Sequence, residues 1–393
     1  MERIGIFGGT FNPPHIGHIQ AAKAAAQELE LDRVLLIPSC LTPHKSIPDG
    51  SPSAQQRLEM LRMAVQGEPQ LAVSDVEVCR GGVSYTYETV EALRAQYPDA
   101  DLTLLVGSDM FASLDKWKNA EQILAQVSVA VFSRGAKGEQ AVIEAQQAQM
   151  EEKGHSARIL DNPVIHISST QLRRLIAFRC ADPFLPQNVG DYIRDHDLYH
   201  CNADWKHLPM DQLEQIVVSL LNPNRVAHVL GCRDTAAELA RIWGVDETDA
   251  ARAGLLHDIT KALDGTLQLT LCQEYGTILD AFSQKYPKTL HALTGSLVAE
   301  RIFGENPTVV AAIASHTTGK ANMNMLEKII YVADYMEPNR NFAGVEDLRH
   351  LAHTDMDGAL RYGLEMALEH LARLGDEVSP ASQDALAYLN GNR

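Results

Sequence analysis

The chain has 393 residues, which is too long for one ordinary hydrophobic core and predicts two domains. A formal net charge of −17 argues against a non-specific nucleic-acid-binding protein, because such proteins concentrate positive charge. The six cysteines are scattered and no apolar run is long enough to span a bilayer, so we expect a cytoplasmic protein without a nucleic-acid or membrane partner. Homo-oligomer formation stays open.

The first 200 residues alternate short apolar strands with helical patterns. The predicted strands are RIGIF, RVLLIP, LAVSDVEV, LTLLVG and VSVAVF, and the predicted helices span residues 16–30, 53–66, 86–96 and 119–126. This alternation predicts an α/β domain whose parallel sheet is covered on both faces and binds ligands at the carboxyl ends of its strands. Residues 135–158, rich in Gln, Glu and Ala, are predicted to be a solvated helix or loop.

The stretch GGTFNPPHIGH follows the first predicted strand and opens a helix. Gly8 and Gly9 let the backbone approach an anion, while His15 and His18 share one face of the helix start. A helix N-terminus offers free N–H groups and partial positive charge. The stretch therefore predicts a site for the phosphates of a nucleoside triphosphate. A glycine turn with two surface histidines would explain fewer of these residues.

A second motif, ISSTQLRR, lies far downstream. Ser168, Ser169 and Thr170 are good helix-capping residues, and the planar fork of Arg173 suits phosphate oxygens. The two motifs, in this order, resemble the T/HxGH and ISSTxxR signatures of the nucleotidylyltransferase superfamily. That resemblance implies a Rossmann-like domain that binds a nucleotide between the two motifs.

Four shorter motifs narrow the resemblance: TPHK, SYTYETV, GSDMFASLDKW and SR each occur in the expected order. With them, residues 1–200 resemble the bacterial nicotinate-nucleotide adenylyltransferases. The resemblance implies adenylyl transfer from ATP, with Mg²⁺, to nicotinate mononucleotide, giving deamido-NAD and pyrophosphate. Asn12 departs from the family, which commonly has Asp there, and keeps the hydrogen-bonding capacity without the charge.

The same resemblance implies three groups of site residues. The catalytic charges would come from His15, His18, Lys45 and Arg173. ATP would be held by Gly8, Gly9, Thr10, Phe11, Asp109, Ser168, Ser169 and Thr170. Nicotinate mononucleotide would be bound by Ser84, Tyr85, Thr86, Trp117 and Arg134, with a core or rim position as the alternative for Trp117. Nicotinamide mononucleotide or phosphopantetheine remains an alternative acceptor.

From residue 210 onward only helical patterns are convincing. The predicted helices span residues 210–221, 225–243, 246–261, 266–275, 289–303, 308–315, 325–335 and 355–374. An all-α domain is therefore predicted over residues 208–393, after an N-terminal domain over residues 1–200. The intervening stretch, 195–209, is polar and is predicted to be a linker.

Ionisable residues recur within apolar helical stretches of this second half. They are His228, His257, Asp258, His291, His316 and Asp334. Burying several such groups is costly unless they are paired or bind a metal, so the set favours a metal centre over isolated core histidines. Imidazole and carboxylate ligands suit iron, manganese or zinc.

The full pattern H…HD…H…H…D, with HTTG and LEKIIYVADYMEP, resembles the HD-domain family that cleaves diadenosine tetraphosphate symmetrically. The resemblance implies two metals, with iron favoured. One would be held by His228, His257, Asp258 and Asp334, and Asp258 would bridge to a second held by His291 and His316.

Two cations near this pattern have two interpretations each. Lys261 and Arg340 would each either hold a phosphate oxygen or be a solvated residue, and Lys261 is assigned to the catalytic set. Alternatives for the second half as a whole are a nucleotidase, a cyclic-nucleotide phosphodiesterase, or a metal-bound regulatory module without turnover.

Overall fold

The computed structural model describes residues 1–43, 47–48, 50–133, 135, 138–162 and 164–391. The chain forms two compact units, Met1–Ala203 and Asp204–Arg393. The first unit contains a parallel sheet with flanking helices, and the second is helical in its described residues. The predicted fold class, a Rossmann-like α/β domain followed by an all-α domain, is confirmed.

Within the described residues of the first unit, six parallel strands form one sheet. They are β1 Arg3–Gly9, β2 Arg33–Pro38, β3 Leu71–Val73, β4 Asp101–Gly107, β5 Ser128–Phe132 and β6 Ala157–Leu160. The strand order is β3-β2-β1-β4-β5-β6, so β1 pairs with β2 on one side and with β4 on the other. The strand order reverses there, and folds of this kind bind nucleotides at the carboxyl ends of these strands.

Helices connect these strands. They are α1 Ile16–Glu28, α2 Ala54–Ala64, α3 Val76–Arg80, α4 Thr86–Gln96, α5 Ser108–Phe111, α6 Ala120–Leu124, α7 Glu139–Glu152, α8 Ser169–Ala177 and α9 Gln187–Asp195. Short 3₁₀ turns occur at Leu114–Lys116, Asp182–Phe184 and Leu198–His200. The strands carry near-continuous apolar runs because both of their faces are buried under these helices.

Two local predictions in this unit were only partly right. The strand predicted over LAVSDVEV ends at Val73, and the polar residues that follow start helix α3. The stretch predicted to be a solvated helix or loop contains α7 and β6, and Ile143 and Met150 of α7 are buried. Its few apolar residues lie in a polar background, which hides the buried face from a composition-based prediction.

The second unit contains helices of varied length. They are α10 Met210–Leu220, α11 Pro223–Trp243, α12 Glu247–Leu256, α13 Gly265–Glu274, α14 Ala281–Lys285, α15 His291–Arg301, α16 Pro307–Ser315, α17 Met325–Met336, α18 Val345–Thr354, α19 Met356–Leu374 and α20 Pro380–Gly391, with a 3₁₀ turn at Pro287–Leu290. Helices α14, α18 and α20 were not predicted. Helix α12 ends earlier than predicted, so His257 and Asp258 follow its last turn.

Helix α17 is central to the second unit. It packs against α11, α12, α16 and α19, and residues on all of its sides are buried. Asn324 caps its first turn together with Glu327. A helix that is surrounded on all sides lies in the protein interior, so Asp334 in its last turn lies close to that interior as well. Across the described ranges, no helix is both long and apolar enough to cross a membrane.

Candidate functional site

The loop after β1 lies at the carboxyl edge of the sheet, where β1 neighbours β4. Gly8 and Gly9 are the last residues of β1, and a Cβ atom on Gly8 would meet no other atom within 4 Å. The chain then turns at Phe11, whose φ is +46°, and contains a cis peptide bond between Asn12 and Pro13. The open space beside Gly8 leaves room for a ligand at this edge.

His15 and His18 stack on each other at the start of α1. Their ring centroids are 3.6 Å apart and their planes differ by 28°. The backbone N–H of His15 donates to Nδ1 of His18 at 3.2 Å, and the Phe11 ring packs edge-on against His18. Because Nδ1 of His18 accepts this bond, the neutral ring carries its proton on Nε2, a donor suited to a phosphate oxygen.

Arg57 of α2 lies underneath the same loop and was not predicted as a site residue. Its side chain is 0% exposed, and Nη1 donates to the carbonyl oxygen of Thr10 at 2.6 Å. Nη2 donates to the carbonyl oxygens of Ser39 and Cys40 at 2.7 and 3.0 Å. Burial lowers the pKa of Arg57. This guanidinium therefore joins the loop after β1 to the loop after β2.

The second signature motif begins helix α8, where Ser168 caps the first turn by accepting from the N–H of Gln171. Ser169 Oγ donates to the carbonyl oxygen of Pro13 at 3.2 Å. Arg173 donates from Nη1 to the carbonyl oxygen of Asn12 at 2.8 Å, and its Nη2 contacts Oγ1 of Thr170 at 3.2 Å. The two motifs are therefore in direct contact through hydrogen bonds.

Tyr199, from the end of the first unit, also reaches this loop. Its side chain is 6% exposed, and its hydroxyl donates to Oδ1 of Asn12 at 2.7 Å. Nδ2 of Asn12 in turn donates to Oγ of Ser51 at 2.9 Å. Burial raises the pKa of Tyr199, so the phenol keeps the proton that it donates. The stretch predicted to be a polar linker thus contributes a buried group to the loop.

Ser84 connects the predicted acceptor region to the loop after β2. It is 8% exposed, and its hydroxyl accepts from the N–H of Cys40 at 3.0 Å. Its own N–H donates to the carbonyl oxygen of Leu41 at 2.8 Å. These bonds hold Ser84 beside the carboxyl end of β2.

Tyr85 and Thr86 lie at the start of α4. The Lys118 ammonium lies 4.1 Å from the centroid of the Tyr85 ring, within the range of a cation–π contact. Trp117 is half-buried and packs against the core of the sheet, while its Nε1 is buried and meets no hydrogen-bond acceptor among the described residues. The rings of Tyr85 and Tyr87, with centroids 6.1 Å apart, thus form an aromatic pair beside the Lys118 ammonium.

Three other predicted residues are less informative. Asp109 lies exposed in the short helix α5, directly after β4, where its carboxylate accepts from the N–H of Met110 at 2.9 Å. Lys45 and Arg134 lie outside the described residues.

In the second unit the structure brings the six predicted ligand residues into one buried cluster. His228 lies in α11, His257 and Asp258 follow α12, His291 begins α15, His316 follows α16, and Asp334 lies in α17. Five helices therefore contribute to a single site. Burial lowers the pKa of His257 and His291 well below its usual value and that of His316 to about 4, so these rings are neutral near pH 7.

Each histidine of the cluster is oriented by a hydrogen bond from Nδ1. His257, His291 and His316 donate to the backbone carbonyl three residues earlier, at 2.7, 2.9 and 2.7 Å. Nδ1 of His228 instead lies 3.1 Å from Oε1 of Glu337, a carboxylate that is 1% exposed. With the proton on Nδ1, the lone pair of each Nε2 is available for a metal.

Asp258 lies at the centre of the cluster and is 1% exposed. Its Oδ2 lies 3.7 Å from Nε2 of His228 and 3.6 Å from Nε2 of His257. Its Oδ1 lies 3.6 Å from Nε2 of His291 and 3.8 Å from Nε2 of His316. The two oxygens of one carboxylate therefore face two different pairs of histidines.

Asp334 completes the first of these pairs, since its Oδ1 lies 3.2 Å from Nε2 of His228. The Nε2 atoms of His228 and His257 are 3.3 Å apart. Burial acts to raise the pKa of Asp334, but the contact with His228 and nearby charges, including Arg340, hold that pKa well below its usual range. The carboxylate is therefore ionised and available as a ligand.

Three cations border the cluster. Arg225 forms an ion pair with Asp258, and Nη2 of Arg340 donates to Oδ1 of Asp334 at 2.5 Å. The exposed side chain of Lys261 donates from Nζ to Nε2 of His291 at 2.9 Å. Imidazoles and carboxylates at these separations are the donor set of a divalent metal centre, and the added cations suit an anionic ligand.

Comparisons with known proteins find family matches in both halves of the chain. The Cytidylyltransferase-like family matches residues 6–175, and the HD domain family matches residues 225–339. A Mycoplasma pneumoniae protein named probable nicotinate-nucleotide adenylyltransferase/Ap4A hydrolase is 30% identical over 338 residues, covering 85% of this chain and 88% of the relative. The chain belongs to the nicotinate-nucleotide adenylyltransferase family and carries an HD domain after it.

Two further relatives each match one half. A probable nicotinate-nucleotide adenylyltransferase of Neisseria meningitidis is 36% identical over 201 residues, covering 51% of this chain and 99% of the relative. A crystal structure titled as a predicted HD superfamily hydrolase involved in NAD metabolism, from Clostridium acetobutylicum, is 35% identical. It covers 47% of this chain and 99% of that chain, with a TM-score of 0.46.

Several residues around the HD-domain cluster were not predicted. They are Arg225, Cys232 and Glu337, of which Cys232 and Glu337 are almost completely buried. Cys232 follows His228 by four residues on α11, and this helical spacing is the signal that could have revealed it. Glu337 follows Asp334 by three residues, but it lies beyond the end of α17, so spacing alone did not indicate its contact.

Proposed function

We propose that residues 1–200 transfer the adenylyl group of ATP to nicotinate mononucleotide, giving deamido-NAD and pyrophosphate. The observation that carries this proposal is the stacked His15–His18 pair at the start of α1, with Arg173 bonded to the same loop. The names of the relatives support the choice of nicotinate mononucleotide over other acceptors.

In the proposed reaction the phosphate of nicotinate mononucleotide attacks the α-phosphorus of ATP, and the bond to the β-phosphate breaks to release pyrophosphate. The attacking phosphate is already a nucleophile, so positioning and charge neutralisation suffice. His15 and His18 donate to ATP phosphate oxygens, and Lys45 and Arg173 neutralise the charge that develops on the leaving group. Mg²⁺ that accompanies ATP neutralises further phosphate charge.

The backbone supports this arrangement. Gly8, Gly9, Thr10 and Phe11 shape the turn around the phosphates, and Ser168, Ser169 and Thr170 hold the start of α8 against it. Arg57 adds a buried positive charge beneath the turn. Neither Arg57 nor Arg173 pairs with a carboxylate in the part of the chain that the structure describes, which leaves their charge available to the polyphosphate.

The acceptor would lie against the start of α4. Tyr85 and Trp117 offer aromatic surfaces for the pyridine ring, Ser84 and Thr86 offer polar groups beside it, and Arg134 offers a charge for its phosphate. Asp109, directly after β4, would bind a ribose. The buried Nε1 of Trp117 could donate to an oxygen of the pyridine carboxylate.

Acceptor choice tests this proposal directly. The protein is incubated with Mg²⁺–ATP and, separately, with nicotinate mononucleotide, nicotinamide mononucleotide or phosphopantetheine, and the products are separated by chromatography. We expect deamido-NAD with the highest kcat/KM, because donors that fit a carboxylate oppose the N–H₂ of an amide. A higher kcat/KM for either other acceptor would reject the assignment.

We propose that residues 208–393 are a metal-dependent phosphohydrolase that cleaves diadenosine tetraphosphate into two ADP. The observation that carries a two-metal site is the position of Asp258, whose two oxygens face separate histidine pairs. His228, His257, Asp258 and Asp334 would hold one metal, and Asp258, His291 and His316 the other. Iron is proposed for both, with manganese or zinc as alternatives.

When bound, two metals activate water and neutralise the charge on a phosphoryl group under attack. The residues of the chain orient the substrate: Lys261 and Arg340 lie beside the cluster and would hold phosphate oxygens. Water adds to a phosphorus atom next to the central bridge, the bridging P–O bond breaks, and each half leaves as ADP. A bound phosphate would replace Asp258 as the partner of Arg225, and the Asp258 carboxylate would then be free to hold its metals.

Product analysis tests this second activity. Metal-loaded protein is incubated with diadenosine tetraphosphate, 5′-nucleotides and cyclic nucleotides. Two ADP from diadenosine tetraphosphate are expected. ATP plus AMP, preference for a nucleotidase or cyclic-nucleotide substrate, or no turnover would each reject the symmetrical hydrolase in favour of the corresponding alternative. We propose a cytoplasmic location for both activities, in keeping with the six free cysteines.

A further inference from the structure

The metal cluster of the second unit includes a thiol. Cys232 follows His228 by four residues on α11, so the two side chains share one face of the helix. Sγ of Cys232 lies 3.8 Å from Nε2 of His228, and the residue is 1% exposed. Together with His257 and Asp334, these two residues present ligand atoms that all lie within 4.8 Å of one another.

We infer that Cys232 is a thiolate ligand of the metal held by His228, His257, Asp258 and Asp334. The inference rests on the proposed metal centre and adds a sulfur ligand to its nitrogen and oxygen ligands. As the metal–sulfur bond forms, the S–H bond breaks and its proton passes to bulk water, because a thiol that coordinates a metal is deprotonated.

The separations in the cluster fit this assignment. At usual bond lengths and near-tetrahedral angles between neighbouring ligands, two nitrogen ligands of one metal lie about 3.3 Å apart and a nitrogen and a sulfur ligand about 3.6 Å apart. The observed distances are 3.3 Å between Nε2 of His228 and Nε2 of His257, 3.2 Å between Nε2 of His228 and Oδ1 of Asp334, and 3.8 Å between Nε2 of His228 and Sγ of Cys232. Small side-chain adjustments would bring these four atoms to one ion, with Oδ2 of Asp258, 3.7 Å from Nε2 of His228 and 3.6 Å from Nε2 of His257, as the fifth ligand.

A buried cysteine commonly serves as a small apolar side chain. Cys272 fits that description: it is equally buried in α13 of the same unit, and no ligand group among the described residues includes it. Sγ of Cys232 instead lies 3.8 Å from Nε2 of His228, 3.8 Å from the carbonyl oxygen of Ala333, and within 4.8 Å of ligand atoms of His257 and Asp334. The two thiols therefore form a matched pair for experiment.

A thiolate ligand changes which metal ions the first position prefers. Sulfur is a soft ligand that favours zinc or iron over manganese, whereas Asp258, His291 and His316 at the second metal position offer only oxygen and nitrogen atoms. The two positions are then chemically unequal. A thiolate ligand also makes the first position sensitive to oxidants that convert sulfur to its oxygenated forms.

Cobalt substitution tests the inference. The metal-free full chain is loaded with Co²⁺, and its absorption spectrum is recorded for the wild type, Cys232→Ala and Cys272→Ala. A sulfur-to-cobalt charge-transfer band is expected in the wild type and in Cys272→Ala and is expected to be lost in Cys232→Ala. Chelator competition should show affinity for Zn²⁺ at the tighter site falling at least about 10-fold in Cys232→Ala alone.

The outcomes separate this inference from the proposed metal centre. Bound Co²⁺ without a charge-transfer band in the wild type would overturn the role of Cys232 and leave the metal centre standing. Failure of the wild type to bind Co²⁺ or Zn²⁺ would overturn both. The wild-type spectrum decides the question even if Cys232→Ala fails to fold.

Discussion

Arg57 donates a hydrogen bond from Nη1 to the carbonyl oxygen of Thr10 at 2.6 Å, from a position with no exposed surface. The same guanidinium bonds the backbone of Ser39 and Cys40 after β2. One buried side chain thus fixes the relative position of two loops at the proposed phosphate site. Backbone carbonyl dipoles balance its charge, and a bound polyphosphate would add an opposite charge.

Arg57→Lys should impair both stability and adenylyl transfer. Lysine offers a point charge and cannot make the same forked bonds, which leaves buried carbonyls without donors. We expect the first unit to lose about 2–4 kcal/mol of unfolding free energy and kcat/KM to fall at least about 100-fold. Denaturant unfolding and initial rates measure these effects.

Arg62→Lys is the matched control, because Arg62 lies on the same helix but is exposed and pairs with Asp75. That variant should retain wild-type rates and stability. Wild-type values in Arg57→Lys would show that the buried contacts contribute nothing.

His18→Ala should nearly abolish adenylyl transfer while leaving the first unit folded. Removing a preorganised donor to a transition-state charge costs about 10²–10³ in kcat. Steady-state rates with ATP and nicotinate mononucleotide measure the loss, and circular dichroism checks the fold. His155→Ala, which removes a half-buried imidazole that contacts Glu121, serves as the control. A kcat close to that of the control would refute the role of His18.

Tyr199→Phe should weaken the loop that carries Asn12. The change deletes only the hydroxyl that donates to Oδ1 of Asn12, at a typical cost of about 1 kcal/mol for a buried hydrogen bond. We expect a lower midpoint of thermal unfolding together with a lower kcat. Tyr192→Phe removes a comparable bond to Glu59 away from the loop, so it should lower stability without lowering kcat. Equal effects of the two variants on kcat would argue against a positioning role for Tyr199.

Asp258→Ala should remove metal and hydrolysis together. The variant deletes the carboxylate that faces both histidine pairs, and bound metal contributes to folding free energy, so the second unit should also become less stable. Elemental analysis, chromatography of nucleotide products and thermal unfolding test this. Adenylyl transfer should persist as an internal control. Retained metal with continued ADP release would rule out the bridging role.

Glu337→Gln should weaken metal binding without removing a ligand. The carboxylate lies 3.1 Å from Nδ1 of His228 and fixes the orientation of that ring. Loss of such a supporting group typically costs about 10–100-fold in metal affinity. Chelator competition measures the change, and Glu247→Gln, in an exposed pair with Arg241, is the control. An unchanged dissociation constant would show that His228 needs no such support.

The arrangement of elements could be predicted from the sequence because buried strands and amphipathic helices have different periods. The clustering of the four buried histidines could be predicted because each lies in an apolar helical context. Arg57 and Tyr199 could not, because they act on backbone or amide groups far away in the chain and belong to no local pattern. Cys232 was recognisable in principle, since it lies one helical turn after a predicted ligand.

The hydrogen bond between Tyr199 and Asn12 also determines where the chain can be cut to produce the first unit as a separate fragment. Both nucleotide-binding signatures and every strand of the sheet are complete by residue 174, yet the hydroxyl that reaches the first signature comes from near the end of the unit. In that tail Asp197, Tyr199 and His200 all have positive φ, a conformation that few substitutions would preserve. A fragment that ends at residue 174 would therefore lack the Tyr199 hydroxyl that bonds Asn12 in the loop after β1. A fragment meant to reproduce the first unit should extend through residue 203.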